Sequence, residues 1–205
     1  MNEMVSFNKI DFFLFSFFFF LFSADGFCKT LLLGDSLTYV YGEAYKSSIN
    51  KDADVFYQVG SGLLNRNKYD WFSAVESINF DEYDLVIISI GTNDFNRDVN
   101  SVDYSRSIFE LIGRIKNKNS DTKIIWISPP FLKNEEHEIL LSNTRHIVKN
   151  TLCQLGVMYS DITRDAVLGE KYTGVLNGKK IRANDGIHIT KYGASLVVEH
   201  LKLFL

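Results

Sequence analysis

Lys29-Thr30-Leu31-Leu32-Leu33-Gly34-Asp35-Ser36-Leu37 joins a short apolar run to a polar step and the start of a helical segment. Thr30 to Leu33 is apolar and too short for a helix, so it reads as a strand buried on both faces, the kind found inside a parallel sheet. Ser36 follows the polar Gly34-Asp35 step and opens a helical segment. Its hydroxyl and backbone N–H therefore belong at a helix N-terminus, favourable ground for negative charge.

Similar short apolar runs recur at Asp54 to Val59, Leu85 to Ile90, Lys123 to Ser128 and Val157 to Ser160, built from Leu, Val, Ile and aromatic residues. Segments of helical periodicity separate them. Tyr104 to Ile115 sets Ile108, Leu111, Ile112 and Ile115 on one face, with a start offered by Ser101, Val102 and Asp103. Glu136 to Leu155 carries Ile139, Leu140, Ile147, Val148, Leu152 and Leu155 and stops at Gly156, and a last helix is predicted over Thr190 to Leu203. Asn177-Gly178 signals a small hairpin within Tyr172 to Ile181. Pro129-Pro130 ends a strand and does not divide the chain into domains. Alternating strands and helices predict an α/β protein, a three-layer α/β/α sandwich around a five-stranded parallel sheet. In such sheets ligands bind at the carboxyl ends of the strands. Gly34-Asp35-Ser36, Gly60-Ser61-Gly62 and Gly91-Thr92-Asn93-Asp94 each follow a predicted strand and are expected to meet on one rim.

The 205 residues, 46% of them hydrophobic, suit a single domain with a sizeable core. A formal charge of −3 without a basic stripe argues against nucleic acid as a partner. Phe12 to Phe22 is an apolar run of 11 residues broken only by Ser16, half the length a bilayer-spanning helix needs. With small residues at Ala24 and Gly26 it reads as a signal peptide over residues 1–26, leaving a domain of 27–205, with an uncleaved N-terminal anchor and a buried apolar segment as the rival readings. Export to the periplasm or beyond follows, with no stable membrane insertion once the segment is removed. Cys28 and Cys153 would both stay in the mature chain, either paired or as two small buried hydrophobes. They do not recur with metal-ligand spacing, so no metal site is expected.

A serine hydroxyl is a poor nucleophile unless a base takes its proton as it attacks. Of the four histidines, His137, His146 and His200 fall within predicted helices and suit surface or structural roles. His188 lies three residues after Asp185 in the loop Arg182-Ala183-Asn184-Asp185-Gly186-Ile187-His188. A turn at Gly186 lets the carboxylate reach imidazole Nδ1, fixing the tautomer and leaving Nε2 for Ser36. The Asn93 amide can donate to developing negative charge, although an Asn in a turn or cap is the common structural case. A glycine of Gly60-Ser61-Gly62 can add a backbone N–H, since without a side chain the main chain approaches substrate closely.

Taken together and in order, Gly34-Asp35-Ser36-Leu37, Gly91-Thr92-Asn93-Asp94 and Asp185-Gly186-Ile187-His188 resemble the motif blocks of the SGNH, or GDSL-type, hydrolase superfamily. Ser61-Gly62-Leu63-Leu64, Ile125 to Pro130 and Arg182 to Thr190 make the chain similar to a poorly characterised bacterial branch of it. The resemblance runs from Lys29 to about Leu203. It implies a flavodoxin-like SGNH hydrolase fold, with Ser36 as nucleophile, His188 as base and Asp185 orienting it. The oxyanion hole it implies is the Ser36 N–H, a glycine N–H and the Asn93 amide, with Gly62 preferred to Gly60. Ile189 stands where a proline often follows the histidine, which removes no catalytic group. Arg182 and Asp35 are candidates for shaping the site, with a salt bridge or turn contact the preferred role for each.

The reading is a serine esterase that needs no cofactor or metal and acts on a small-molecule or carbohydrate ester, with an O-acetyl ester of a cell-envelope carbohydrate preferred. Two rivals stand beside it: an O-acyltransferase using the same residues, and a non-catalytic binding protein of the same fold. A histidine base works only when neutral, so ester hydrolysis should decline as acid protonates His188; a rate flat across roughly pH 5 to 8 would count against the assignment.

Overall fold

The computed structural model of the protein describes residues 29–96, 100–164 and 166–205. Five strands form one sheet: β1 (Thr30–Gly34), β2 (Asp54–Tyr57), β3 (Leu85–Ser89), β4 (Lys123–Ile127) and β5 (Met158–Ser160). They pair in the order β2-β1-β3-β4-β5, every pair parallel. This is the flavodoxin-like order, with the direction of winding reversing between β1 and β3.

Side-chain alternation along the strands builds the layers. Leu31 and Leu33 of β1, Val86 and Ile88 of β3, and Ile124 and Trp126 of β4 enter one core. They meet α2 (Trp71–Ser77), α3 (Ser101–Lys118) and α4 (Glu135–Leu155). Leu32, Ile87, Ile125 and Ile127 enter the other core, against α1 (Ser36–Ser48) and α5 (Lys191–Leu201). The three-leucine run is therefore buried on both faces, which explains why it shows no polar alternation.

Local chemistry fixes the helix ends. Asn100 caps α3 by accepting from Val102 N–H and Asp103 N–H, Asn134 caps α4 through His137 N–H, and Thr190 caps α5 through Gly193 N–H. Gly156 closes α4 in the left-handed conformation, at φ 64°. The Asn177-Gly178 turn, with φ of 51° and 74°, joins β6 (Val175–Leu176) to β7 (Lys179–Lys180) as an antiparallel hairpin. The strands are shorter than their apolar runs suggest, β2 ending at Tyr57 and β5 beginning at Met158. Helix α2 leaves little trace in the sequence. It has only seven residues, too few to show a helical period, and is announced mainly by the Asp70 side chain accepting from Phe72 N–H.

Among the described residues no helix is long and apolar enough to cross a membrane. The predicted signal segment, residues 1–26, lies outside the described residues, as does Cys28 and with it any Cys28–Cys153 pairing. Cys153 itself is exposed.

The tightest backbone approach is at Gly34, where a Cβ would stand 2.0 Å from the Ser89 carbonyl oxygen. Because that oxygen is main chain in a central strand, it cannot yield cheaply. Gly113, inside α3, has nothing within 4 Å of the position a Cβ would take. Gly34→Ala should therefore lose more than about 3 kcal/mol of folding stability, whereas Gly113→Ala should gain about 0.5–1 kcal/mol. Urea titration of the two variants distinguishes the cases, and equal effects would be inconsistent with this packing.

Candidate functional site

Three loops that follow β1, β2 and β3 meet a fourth that precedes α5. Ser36 is the first residue of α1, and its N–H is one of the orphan donors of a helix start. Asp35 caps the helix through Leu37 N–H at 3.0 Å, while the Asp35 N–H itself donates to Ser89 O at 2.8 Å. The candidate nucleophile is thus pinned from both sides, to its own helix and to the neighbouring strand.

His188 comes from the other end of the chain. Its Nε2 lies 2.9 Å from Ser36 Oγ, across 152 residues of sequence, and its Nδ1 lies 2.7 Å from Asp185 Oδ2. The other carboxylate oxygen, Oδ1, accepts from Ile187 N–H and His188 N–H, both at 2.9 Å. Desolvation pushes the Asp185 carboxyl up, but the bonds from Ile187 N–H, the imidazole and His188 N–H together outweigh it and hold the group at about 2. Asp185 is therefore an ionised acceptor, which favours a proton on Nδ1 and leaves the Nε2 lone pair towards the serine.

The ties that hold this loop are not visible in the sequence. Ala183 N–H donates to His188 O at 2.8 Å, Arg182 pairs with Ile189 as a β-bridge, and Lys133 N–H donates to Gly186 O at 3.0 Å. The Arg182 side chain is buried beneath the loop, where its guanidinium donates to Ile187 O at 2.8 Å and faces the Tyr172 ring at 5.1 Å. Burial lowers the pKa of Arg182, opposed by Tyr41, Tyr172 and Asp185. Among the described residues Arg182 makes no ion pair, so its role is a turn contact and ring stacking, not a salt bridge.

On the opposite flank, Asn93 Nδ2 donates to Ser61 O at 2.8 Å. An amide carries two N–H groups, and this bond orients the second. Asp94, given no role by the sequence, clamps the loop after β2. It accepts from Leu63 N–H at 3.0 Å, Leu64 N–H at 3.4 Å and the Tyr104 hydroxyl at 2.8 Å. A Cβ on Gly62 would fall 2.1 Å from Asp94 Oδ1, so the clamp requires glycine there. The signal for it is present, an acid directly after Asn93, but its partners lie 30 and 31 residues away. Gly60 sits at the loop's outer edge, near the Lys68 ammonium. The Ser36 and Gly62 N–H groups have no protein acceptor among the described residues.

The remaining histidines stand apart: His137 stacks on Phe95 at 4.4 Å, His146 bonds Asn150 at 2.8 Å, and His200 packs against Phe204 at 5.4 Å. No group of three or more His, Cys, Asp or Glu side chains is arranged to hold a metal ion among the described residues.

The parallel sheet in the order β2-β1-β3-β4-β5, covered by helices on both faces, is the fold of the SGNH hydrolases. The chain is similar to the lipase/acylhydrolase from Enterococcus faecalis, with a TM-score of 0.62 at 17% identity, over 86% of this chain and 97% of that one. A carbohydrate esterase family 3 structure from Talaromyces cellulolyticus gives a TM-score of 0.62 at 17% identity, over 86% and 96%. The C-terminal catalytic domain of Streptococcus pneumoniae peptidoglycan O-acetyltransferase A gives 0.60 at 15% identity, over 86% and 91%. A family model described as "protein of unknown function (DUF459)" matches residues 29–202, and the chain belongs to that family. No curated protein matches it.

One carboxyl at the site titrates far from its usual range. Asp35 is fully buried, and desolvation pushes it up to about 7 against the opposing bonds from Leu37 and Thr92, with the Asp94 charge adding to the rise. Between its ordinary value of 3.8 and about 7 the folded protein holds a proton that the unfolded chain has released. This contribution to stability is therefore full below the lower value and is lost as pH rises through the upper one. Asp35→Asn keeps a capping oxygen but cannot titrate. Denaturation of both proteins across that window should show a shallower fall of stability with pH in the variant, and parallel curves would contradict the burial of a titrating group here.

Proposed function

We propose that the protein is an exported serine esterase, with Ser36 as nucleophile, His188 as general base and then acid, and Asp185 as the group that orients the imidazole. The observation that carries the reading is the unbroken series from Ser36 Oγ to His188 Nε2 at 2.9 Å and from Nδ1 to Asp185 at 2.7 Å. As Oγ bonds to the ester carbonyl carbon, its proton passes to Nε2 and the carbonyl electrons move to oxygen. The Ser36 and Gly62 N–H groups and the free N–H of the Asn93 amide face that oxyanion, each such donor being worth about 3–4 kcal/mol in the transition state. Collapse of the tetrahedral species breaks the bond to the alcohol, which leaves with the proton from Nε2. Water then repeats the sequence on the acyl-serine, freeing the acid and restoring Ser36. Every proton moves through one imidazole, so the reaction needs nothing beyond the chain and water.

The substrate we propose is a short acyl ester, foremost an O-acetyl group on a cell-envelope carbohydrate. Fold likeness to a carbohydrate esterase and the export reading of Phe12 to Phe22 support it. A second reading keeps the site and passes the acyl group to a sugar hydroxyl instead of water. Likeness to a peptidoglycan O-acetyltransferase catalytic domain along 91% of that chain favours giving it an explicit test.

With residues 27–205 and p-nitrophenyl acetate, Ser36→Ala should reduce turnover at least about 10³-fold and Asp185→Asn about 10²–10⁴-fold. An organophosphonate should label Ser36, located by mass spectrometry of the digest. Equal turnover by wild type and Ser36→Ala would discard the assignment, and acetyl transfer to an added glycan in preference to water would select the second reading.

A further inference from the structure

Beside the candidate nucleophile the surface carries aromatic rings that the ester chemistry does not use. Tyr39 lies three residues after Ser36, one turn of α1 away and so on the same side of the helix. Tyr57 ends β2, where the register sets it beside Gly34, two residues before Ser36. Gly42 of α1 packs on Val55, two residues before Tyr57 and on the same face of the sheet, so the helix brings Tyr39 over the strand end. The two rings meet at 5.3 Å between centroids with planes inclined at 47°, yet remain 51% and 41% exposed. Val59, 58% exposed, extends the patch towards Gly60, where the Lys68 ammonium lies.

Large apolar side chains grouped in solvent beside a reactive serine mark a binding surface. The shape selects its occupant. An alkyl chain gains most when enclosed, and an open, inclined pair of phenol rings encloses nothing. A pyranose ring has an apolar face of C–H bonds, whose positive edge suits the negative face of an aromatic ring, and a rim of hydroxyls that stays in water. The phenol hydroxyls and the Lys68 ammonium supply donors for that rim. We infer that Tyr39 and Tyr57 form a stacking platform for a pyranose ring of a glycan chain, holding the sugar part of the ester substrate against Ser36.

This inference rests on the esterase reading for its substrate but is tested apart from it. In a Ser36→Ala background, chitotetraose and xylotetraose are titrated by NMR against the parent and the Tyr39→Ala/Tyr57→Ala form. At least one sugar should bind saturably, with affinity about tenfold weaker after the tyrosines are removed. Tyr39→Phe/Tyr57→Phe should restore most of it, because the ring faces remain. Where Ser36 is intact, the ratio of kcat/KM for O-acetylated chitotetraose to that for p-nitrophenyl acetate should fall about tenfold in the double alanine variant. If that variant fails to fold, Tyr39→Ala alone, on an exposed helix position, serves the same comparison. No saturable binding of either sugar, or equal affinity with and without the rings, would overturn the platform. Ester turnover that survives Ser36→Ala would overturn the assignment of Ser36, and no turnover of either ester with Ser36 intact would overturn the esterase reading, while the sugar titrations still judge the platform.

Discussion

The contact between β1 and β3 at Gly34 and Ser89 is the constraint on which the site depends. Removing a side chain at Gly34 lets the first strand end against the Ser89 carbonyl, and the Asp35 N–H takes up that carbonyl at 2.8 Å. The same point is where the sheet reverses its direction of winding, so the loops after β1 and β3 splay to either side and leave a crevice between them. Ser36 stands on one lip and Asn93 on the other. A bulkier residue at 34 would separate the lips as well as weaken the sheet.

From this point the site is assembled by main-chain hydrogen bonds more than by side-chain packing. The loop after β2 is drawn in by Asp94, and the loop that carries His188 is tied to itself, to Lys133 and to the buried Arg182. A carboxylate holding two amides leaves little freedom to the glycine before them, and an ionised Asp185 fixes the ring that faces the serine. Rigid placement of this kind is what lets donors act on developing charge without first reorganising.

Much of the architecture was legible because its signals are local. Leu31-Leu32-Leu33 declares a doubly buried strand within three residues, and Glu136 to Leu155 declares a helix whose buried face includes Ile147, Val148 and Leu152, although Ile139, read with them, is exposed and Leu141 is buried in its stead. Ser36, Asn93, Asp185 and His188 could be singled out because each lies in a short pattern at a strand or helix end. What was missed depends on partners distant in the chain. Asp94 looks like any turn acid until Leu63 and Tyr104 arrive, and Arg182 gives no sign in sequence of being buried under the loop it begins. Tyr39 and Tyr57 are separated by a helix and a turn, so only the strand register reveals them as neighbours. Helix α2 left little beyond its Asp70 cap for the opposite reason, being too short for a helical period to accumulate.

All five strands run the same way, and α5 returns antiparallel to them. Thr30 at the start of the sheet and Phe204 and Leu205 at the end of the chain consequently line one cavity of about 240 Å³ with Tyr45, Leu85 and Lys123, at the pole away from Ser36. Both ends of the described domain therefore lie at one pole of the sheet, and the crevice beside Ser36 opens at the other.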